Sequence, residues 1–249
     1  MWTVFKQAHA RSVWVAAAFP LLFALPAGAE LAQHVIDYRL GLLDGGAAPA
    51  EAAGHPSRST IELVKVLIMF LTLYWISRAL TFGRGGRAIL GDGRSALLFL
   101  GVVVVNIVIG IVPRLIGPAV EPFAGAAAGQ AVLIVLFVLG VAITIYLSPW
   151  MIGAAVGNSR LTIPASIRLV HGLFWWGLLL LFLLEAPLIL AHEGLKRLAV
   201  GQADVPQWIL LGVDSVLTGY LTIVIVAAHF FIAKRATERA GVDLAPDRG

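Results

Sequence analysis

"AVLIVLFVLGVAITIYLSPWMI", residues 131–152, holds no charged residue in 22 positions. At 1.5 Å of rise per residue a helix of that length reaches about 33 Å, enough to cross the roughly 30 Å hydrocarbon core of a bilayer. A helix that is apolar all round has no solvent face, so the stretch reads as a transmembrane helix. Working outward, five further stretches qualify or nearly qualify: 12–29, 61–82, 95–112, 169–192 and 207–232. Short polar joins separate them, and no segment between them is long enough to build a soluble core. The expectation is an all-α polytopic membrane helical bundle of six transmembrane helices, one membrane-embedded domain over 1–249.

Composition agrees. The 249 residues are 59% apolar and 13% charged, with a mean hydropathy of +0.91. Soluble domains hold about 45–50% apolar and about 25% charged residues. The absence of cysteine removes disulfides, thiolate metal sites and thiol catalysis. A pI near 9.8 would suggest nucleic acid in a soluble chain; here membrane lipids are the expected partners, with a membrane-protein partner or a second copy of the chain, and no nucleic acid.

Basic residues in short loops stay on the cytoplasmic side. With the N-terminus inside, 12 of the 18 Lys and Arg residues fall on that side, while eight of the 14 acids fall on the other. Both termini are therefore expected in the cytoplasm, in the inner membrane of a bacterium. The first span also reads as a signal peptide, because Lys6 and Arg11 precede the apolar run and "ALPAGAE" ends in a small-residue pattern. After it, Leu31, Val35, Tyr38 and Leu42 recur at helical spacing, which suits a helix lying on the outer surface or an extension of the first helix. Ser59 with Glu62 reads as a capping box, and Pro113 and Pro164 as helix boundaries.

The second informative stretch is "WWGLLLLFLLEAPLILAHEG", 175–194, which sets Glu185 in the middle of an apolar run. Measured from span midpoints, Glu185 lies about 6 Å, Asp214 about 9 Å, Lys65 about 9 Å and Asn106 about 3 Å to the outer side of centre. An unpaired charge in hydrocarbon costs about 2.5–3.5 kcal/mol even on the lenient scale, which favours inward, paired positions. Lys65, Asn106, Glu185 and Asp214 are thus the candidate intramembrane polar cluster. It is either a structural network or a route for a proton or ion. Pro187 frees the carbonyl of Leu183 beside Glu185.

Other signatures fail. His171, Glu185 and His192 share a helical face but spread over about 31 Å of rise, so they cannot ligate one metal. His171 and His229 come out at similar depth without a third ligand. His192-Glu193 lacks the second histidine of a zincin motif, since Gly194, Leu195 and Lys196 follow. No Gly-x-Ser-x-Gly elbow occurs. The sequence therefore assigns no catalytic residue, no metal ligand and no cofactor. In the loop "GRGGRAILGDGR", 83–94, Arg84, Arg87 and Arg94 are the candidate contacts for anionic lipid. Gly153 with Gly157, and Gly125 with Gly129, match the small-residue spacing of close helix pairs.

One segment resembles a known family. Ala165, Ser166, Arg168, Leu169, Gly172, Phe174 and Trp175 form a run that leads from a proline-containing turn into the fifth span. It resembles the multi-pass membrane domain attached to some bacterial glycerophosphodiester phosphodiesterases, and its stand-alone six-helix relatives. The resemblance implies an inner-membrane bundle with no assigned catalytic role. The phosphodiesterase domain has no counterpart in these residues, and no functional residue carries over. Two functions are expected: a non-enzymatic scaffold, accessory or lipid-handling bundle, or a small proton- or ion-coupled transporter or channel using Glu185 and Asp214.

Overall fold

The computed structural model describes residues 1–46, 52, 55–85 and 90–245 and, at 111, 113–115, 117–124 and 126, the backbone alone. The described residues form helices α1 (Trp2–Ala18), α2 (Pro20–Arg39), α3 (Pro56–Phe82), α4 (Gly93–Ala124), α5 (Ala126–Ala155), α6 (Ile163–Val170), α7 (Phe174–Ala199) and α8 (Asp204–Arg239), with a 3-10 turn at His171–Leu173 and no strand. Among the described residues, five stretches are long and apolar enough to cross a membrane. They are α3, the Gly93–Gly110 part of α4, α5, the run Ile163–Ala199 and α8. The pair α1 and α2 makes a sixth if its two halves, bent by 92°, count as one span. The chain is an all-α polytopic membrane protein.

Several element boundaries differ from expectation, each for a local reason. The first span is not straight: Phe19 leaves the helical region (φ −136°, ψ 67°) and Pro20 opens a new helix at its N1 position. α2 then continues to Arg39, so the segment after residue 29 extends that helix. α3 begins a turn before the expected capping box. His55 is its N-cap and accepts from the Ser57 N–H, Pro56 supplies the first turn, and Glu62 lies 3.9 Å from Arg58 instead of closing a box. Pro113 does not end α4, whose helix runs on to Ala124, whereas Pro164 does sit in the first turn of α6.

Two compact units divide the chain. One comprises residues 1–84 and 180–228. In it α2 lies along α3, and α8 meets α2 at Gly219, where a Cβ would stand 2.8 Å from the Phe23 carbonyl oxygen. The loops at one end are tied by backbone and side chain together: the Gly201 N–H and the Gln207 amide both donate to the Leu43 carbonyl. Leu43, Ala199 and Leu211 bury themselves beneath that tie with Tyr38 and Trp208.

The other unit comprises residues 85–179 and 229–249. Here α4 packs along α5, and Pro149 breaks the hydrogen-bond ladder of α5. Ser166, wholly buried, repairs the break: it accepts from the Trp150 N–H (3.1 Å) and donates to the Tyr146 carbonyl (2.7 Å), standing between two groups that bond each other in an unbroken helix. Gly153 gives room to Leu161, and Gly157 ends the helix with φ +85°, so this glycine pair serves a helix terminus and its turn. Gly125, with φ +84°, is likewise the N-cap of α5.

Candidate functional site

α2 carries Glu30, Gln33, His34 and Asp37, spaced i, i+3, i+4 and i+7, so all four lie on one face of the helix. All four are buried. Leu31 and Leu25 instead point outward. In a helix surrounded by acyl chains this is the expected disposition, because polar atoms left among lipid tails have no partners. The stripe meets basic residues of α3 in antiparallel register: Asp37 Oδ1 lies 3.4 Å from Arg58 Nε, and seven residues on, Lys65 Nζ donates to Glu30 Oε2 (2.5 Å) and Gln33 Oε1 (2.5 Å).

α8 contributes Asp214, which is completely buried. Two histidines hold it. His34 Nε2 donates to Asp214 Oδ2 at 2.9 Å, and His192 Nδ1, from α7, donates to Asp214 Oδ1 at 2.7 Å. Thr218 Oγ1 stands 3.3 Å from the same His192 nitrogen. His34 Nε2 also lies 3.7 Å from Glu30 Oε1. The result is a continuous line of ionisable groups, Lys65, Glu30, His34, Asp214 and His192, drawn from four helices. Its two ends are the more exposed ones, with Lys65 28% and His192 16% exposed, while the three groups between are enclosed.

The structure thus brings Lys65 and Asp214 into one network, through Glu30 and His34. Glu185 makes no hydrogen bond or ion pair with that network among the described residues, and its Oε1 is enclosed without a hydrogen-bond partner. Asn106, half-buried, lies in the other unit and donates to the Val102 carbonyl one turn back in its own helix, the ordinary way for a polar side chain to satisfy itself locally. His229 Nδ1 is hydrogen-bonded to Ser148 Oγ (2.8 Å), and His171 lies against the Tyr146 ring; no hydrogen bond joins the two histidines among the described residues. Sequence reasoning missed Glu30, Gln33, His34 and the role of His192. The signal was present as the i, i+3, i+4, i+7 polar spacing of "ELAQHVID", residues 30–37.

Of the expected lipid-contact arginines, Arg84 is exposed, Arg87 lies outside the described residues, and Arg94 donates to Ser159 Oγ. Arg94 also lines an open cleft of about 640 Å³ with Ser159, Arg160, Arg168, Gly241 and Asp243. Asn158 holds the far wall of this cleft in place by donating to the Asp243 and Leu244 carbonyls.

No family model, no curated protein and no solved structure matches the chain.

Proposed function

We propose that this membrane protein is a small cation transporter or channel, proton-coupled or carrying a metal cation, whose working groups are Asp214 and the histidines and carboxylate around it. The observation that carries the reading is Asp214 itself: a wholly buried carboxylate in a membrane-embedded helix, held by two histidines from two other helices. Intramembrane ionisable residues are expensive, and where they face the protein interior they mark ion pathways by default. A structural tie between helices needs one polar pair; here five ionisable groups follow one another. Glu185 stands apart from the line, seven residues from His192 on α7 and about 10 Å of rise towards the middle of the bilayer. Its unpartnered oxygen is a further place for a proton or cation.

The test is ion flux in proteoliposomes made from the full chain, with internal dyes for protons and for divalent metal. Flux well above protein-free vesicles is expected, with Asp214→Asn and His34→Gln each slowing it at least tenfold while eluting and melting as ordered protein. No flux of either kind above the empty vesicles, or unchanged flux in both variants, contradicts the proposal. Should Asp214→Asn fail to fold, His34→Gln alone decides.

A second reading, an accessory or lipid-handling bundle, draws on the cleft lined by Arg94, Arg160 and Arg168, whose charges suit anionic headgroups. Retention of anionic over zwitterionic lipid through purification, lost in Arg94→Gln with Arg168→Gln, would favour it.

A further inference from the structure

We infer that Glu30, His34 and Asp214 form a binding site for one divalent transition-metal ion of the zinc or cobalt type. The inference deepens the functional reading above, on whose cluster it rests, by naming the cation.

Geometry comes first. One ligand atom from each of the three side chains lies within 4.8 Å of the other two, and all three residues are buried. A tetrahedral ion with bonds of about 2.1 Å holds its ligand atoms about 3.4 Å apart. His34 Nε2 is 2.9 Å from Asp214 Oδ2 and 3.7 Å from Glu30 Oε1, so the observed spacings bracket that value.

The second observation is independent of the first. Glu30 Oε1 is enclosed, on a side chain only 2% exposed, and has no hydrogen-bond partner. Lys65 and its hydrogen bond occupy the other oxygen, Oε2. A buried carboxylate oxygen without a hydrogen-bond partner needs an explanation, and a bound ion is one. It faces His34 Nε2, where the proposed ion would sit.

The donors select the metal. An imidazole with two carboxylates suits zinc and its neighbours, whereas calcium takes about six to eight oxygens, mostly carboxylate and carbonyl, and magnesium keeps an octahedral shell with several waters. The chain has no thiolate to favour soft ions. His192 supports the site from outside: its Nδ1 lies 2.7 Å from the Asp214 oxygen that His34 does not use, and a hydrogen bond to a ligating carboxylate holds it in place. Three protein ligands leave a fourth position open, as at sites where the ion's partner exchanges. On binding, the ion takes the place of the hydrogen between His34 Nε2 and Asp214 Oδ2; from a neutral ring that proton passes to Nδ1 and from a charged ring it leaves to solvent, so that His34 ligates as neutral imidazole.

The experiment uses the full chain, purified in mild detergent and stripped with a chelator, then titrated with zinc chloride by calorimetry and with cobalt chloride by visible absorption. One zinc ion per chain is expected, with the intense visible bands of four-coordinate cobalt, a raised melting temperature in zinc and no competition from excess calcium or magnesium. Glu30→Gln and His34→Gln should each weaken zinc binding about tenfold or more, while still melting cooperatively without metal. Lack of saturable binding, or zinc affinity unchanged in both variants, overturns the inference. The two proposals fail separately: proton flux without zinc binding removes the metal site and keeps the transporter, whereas zinc binding without flux of any ion does the reverse.

Discussion

At the scale of single residues, the balance at Glu30 decides what the site can tolerate. Its carboxylate is buried, and Lys65 is the cation that compensates it. Removing one partner of a buried pair leaves an uncompensated charge, costing about 3–5 kcal/mol where both are enclosed, while replacing both is often neutral. Lys65 is 28% exposed, so the loss should fall at or below the lower end of that range. Lys65→Met is therefore expected to lower the melting temperature by several degrees, and adding Glu30→Gln to recover most of the loss. A double mutant no better than Lys65→Met alone contradicts the pairing. Lys65 and Asp214 were visible in the sequence as charges too deep for lipid. Their partners were not, because depth is one coordinate and the rotation of each helix is another. Glu185 and Lys65 share a depth band, yet the bonds of Lys65 go to α2.

At the scale of elements, two devices govern how the helices fit. Ser166 fills the gap that Pro149 opens in α5, and without it the Trp150 N–H and Tyr146 C=O lose their common partner. Each unsatisfied buried group costs about 1–3 kcal/mol. Ser166→Ala should accordingly destabilise the protein by about that amount and speed hydrogen exchange at the Trp150 amide; unchanged exchange there counts against the repair. Gly219 sets the approach of α8 to α2. A methyl at 2.8 Å from the Phe23 carbonyl forces the helices apart, so Gly219→Ala should cost about 1–3 kcal/mol in thermal melting. Gly212→Ala, on the same helix with open space around it, should leave the melting temperature unchanged or raised. Equal effects at the two positions contradict the close contact. The spans were legible because a long apolar run leaves few alternatives. The bend at Phe19 was not, since a proline inside an apolar run marks either a helix start or a kink. The polar stripe of α2 went unread for a related reason: Leu31, Val35, Tyr38 and Leu42 fit a surface helix as well as they fit a bundle helix whose other face is polar.

At the scale of the whole molecule, the surface and interior exchange their usual contents. Trp175, Leu21, Leu190 and Phe137 are large apolar side chains that stand exposed, while Glu30, His34 and Asp214 are buried. Apolar side chains exposed in such number are stable where lipid covers them. The arginine and lysine distribution further predicts both termini in the cytoplasm. Because the chain has no cysteine, single substitutions report sidedness without background. Ser159→Cys should react with an impermeant maleimide from the cytoplasmic side only, and Gln202→Cys from the opposite side only; the reverse pattern contradicts the orientation. The claim on which the site, its function and its metal all depend is that the polar face of α2 points into the protein. Spin labels placed one at a time on residues 29–38 in lipid vesicles measure this through their collision rate with oxygen, which concentrates in the acyl chains. The account predicts a helical oscillation with a maximum near Leu31 and minima at residues 30, 33, 34 and 37. Maxima at those four positions would contradict it.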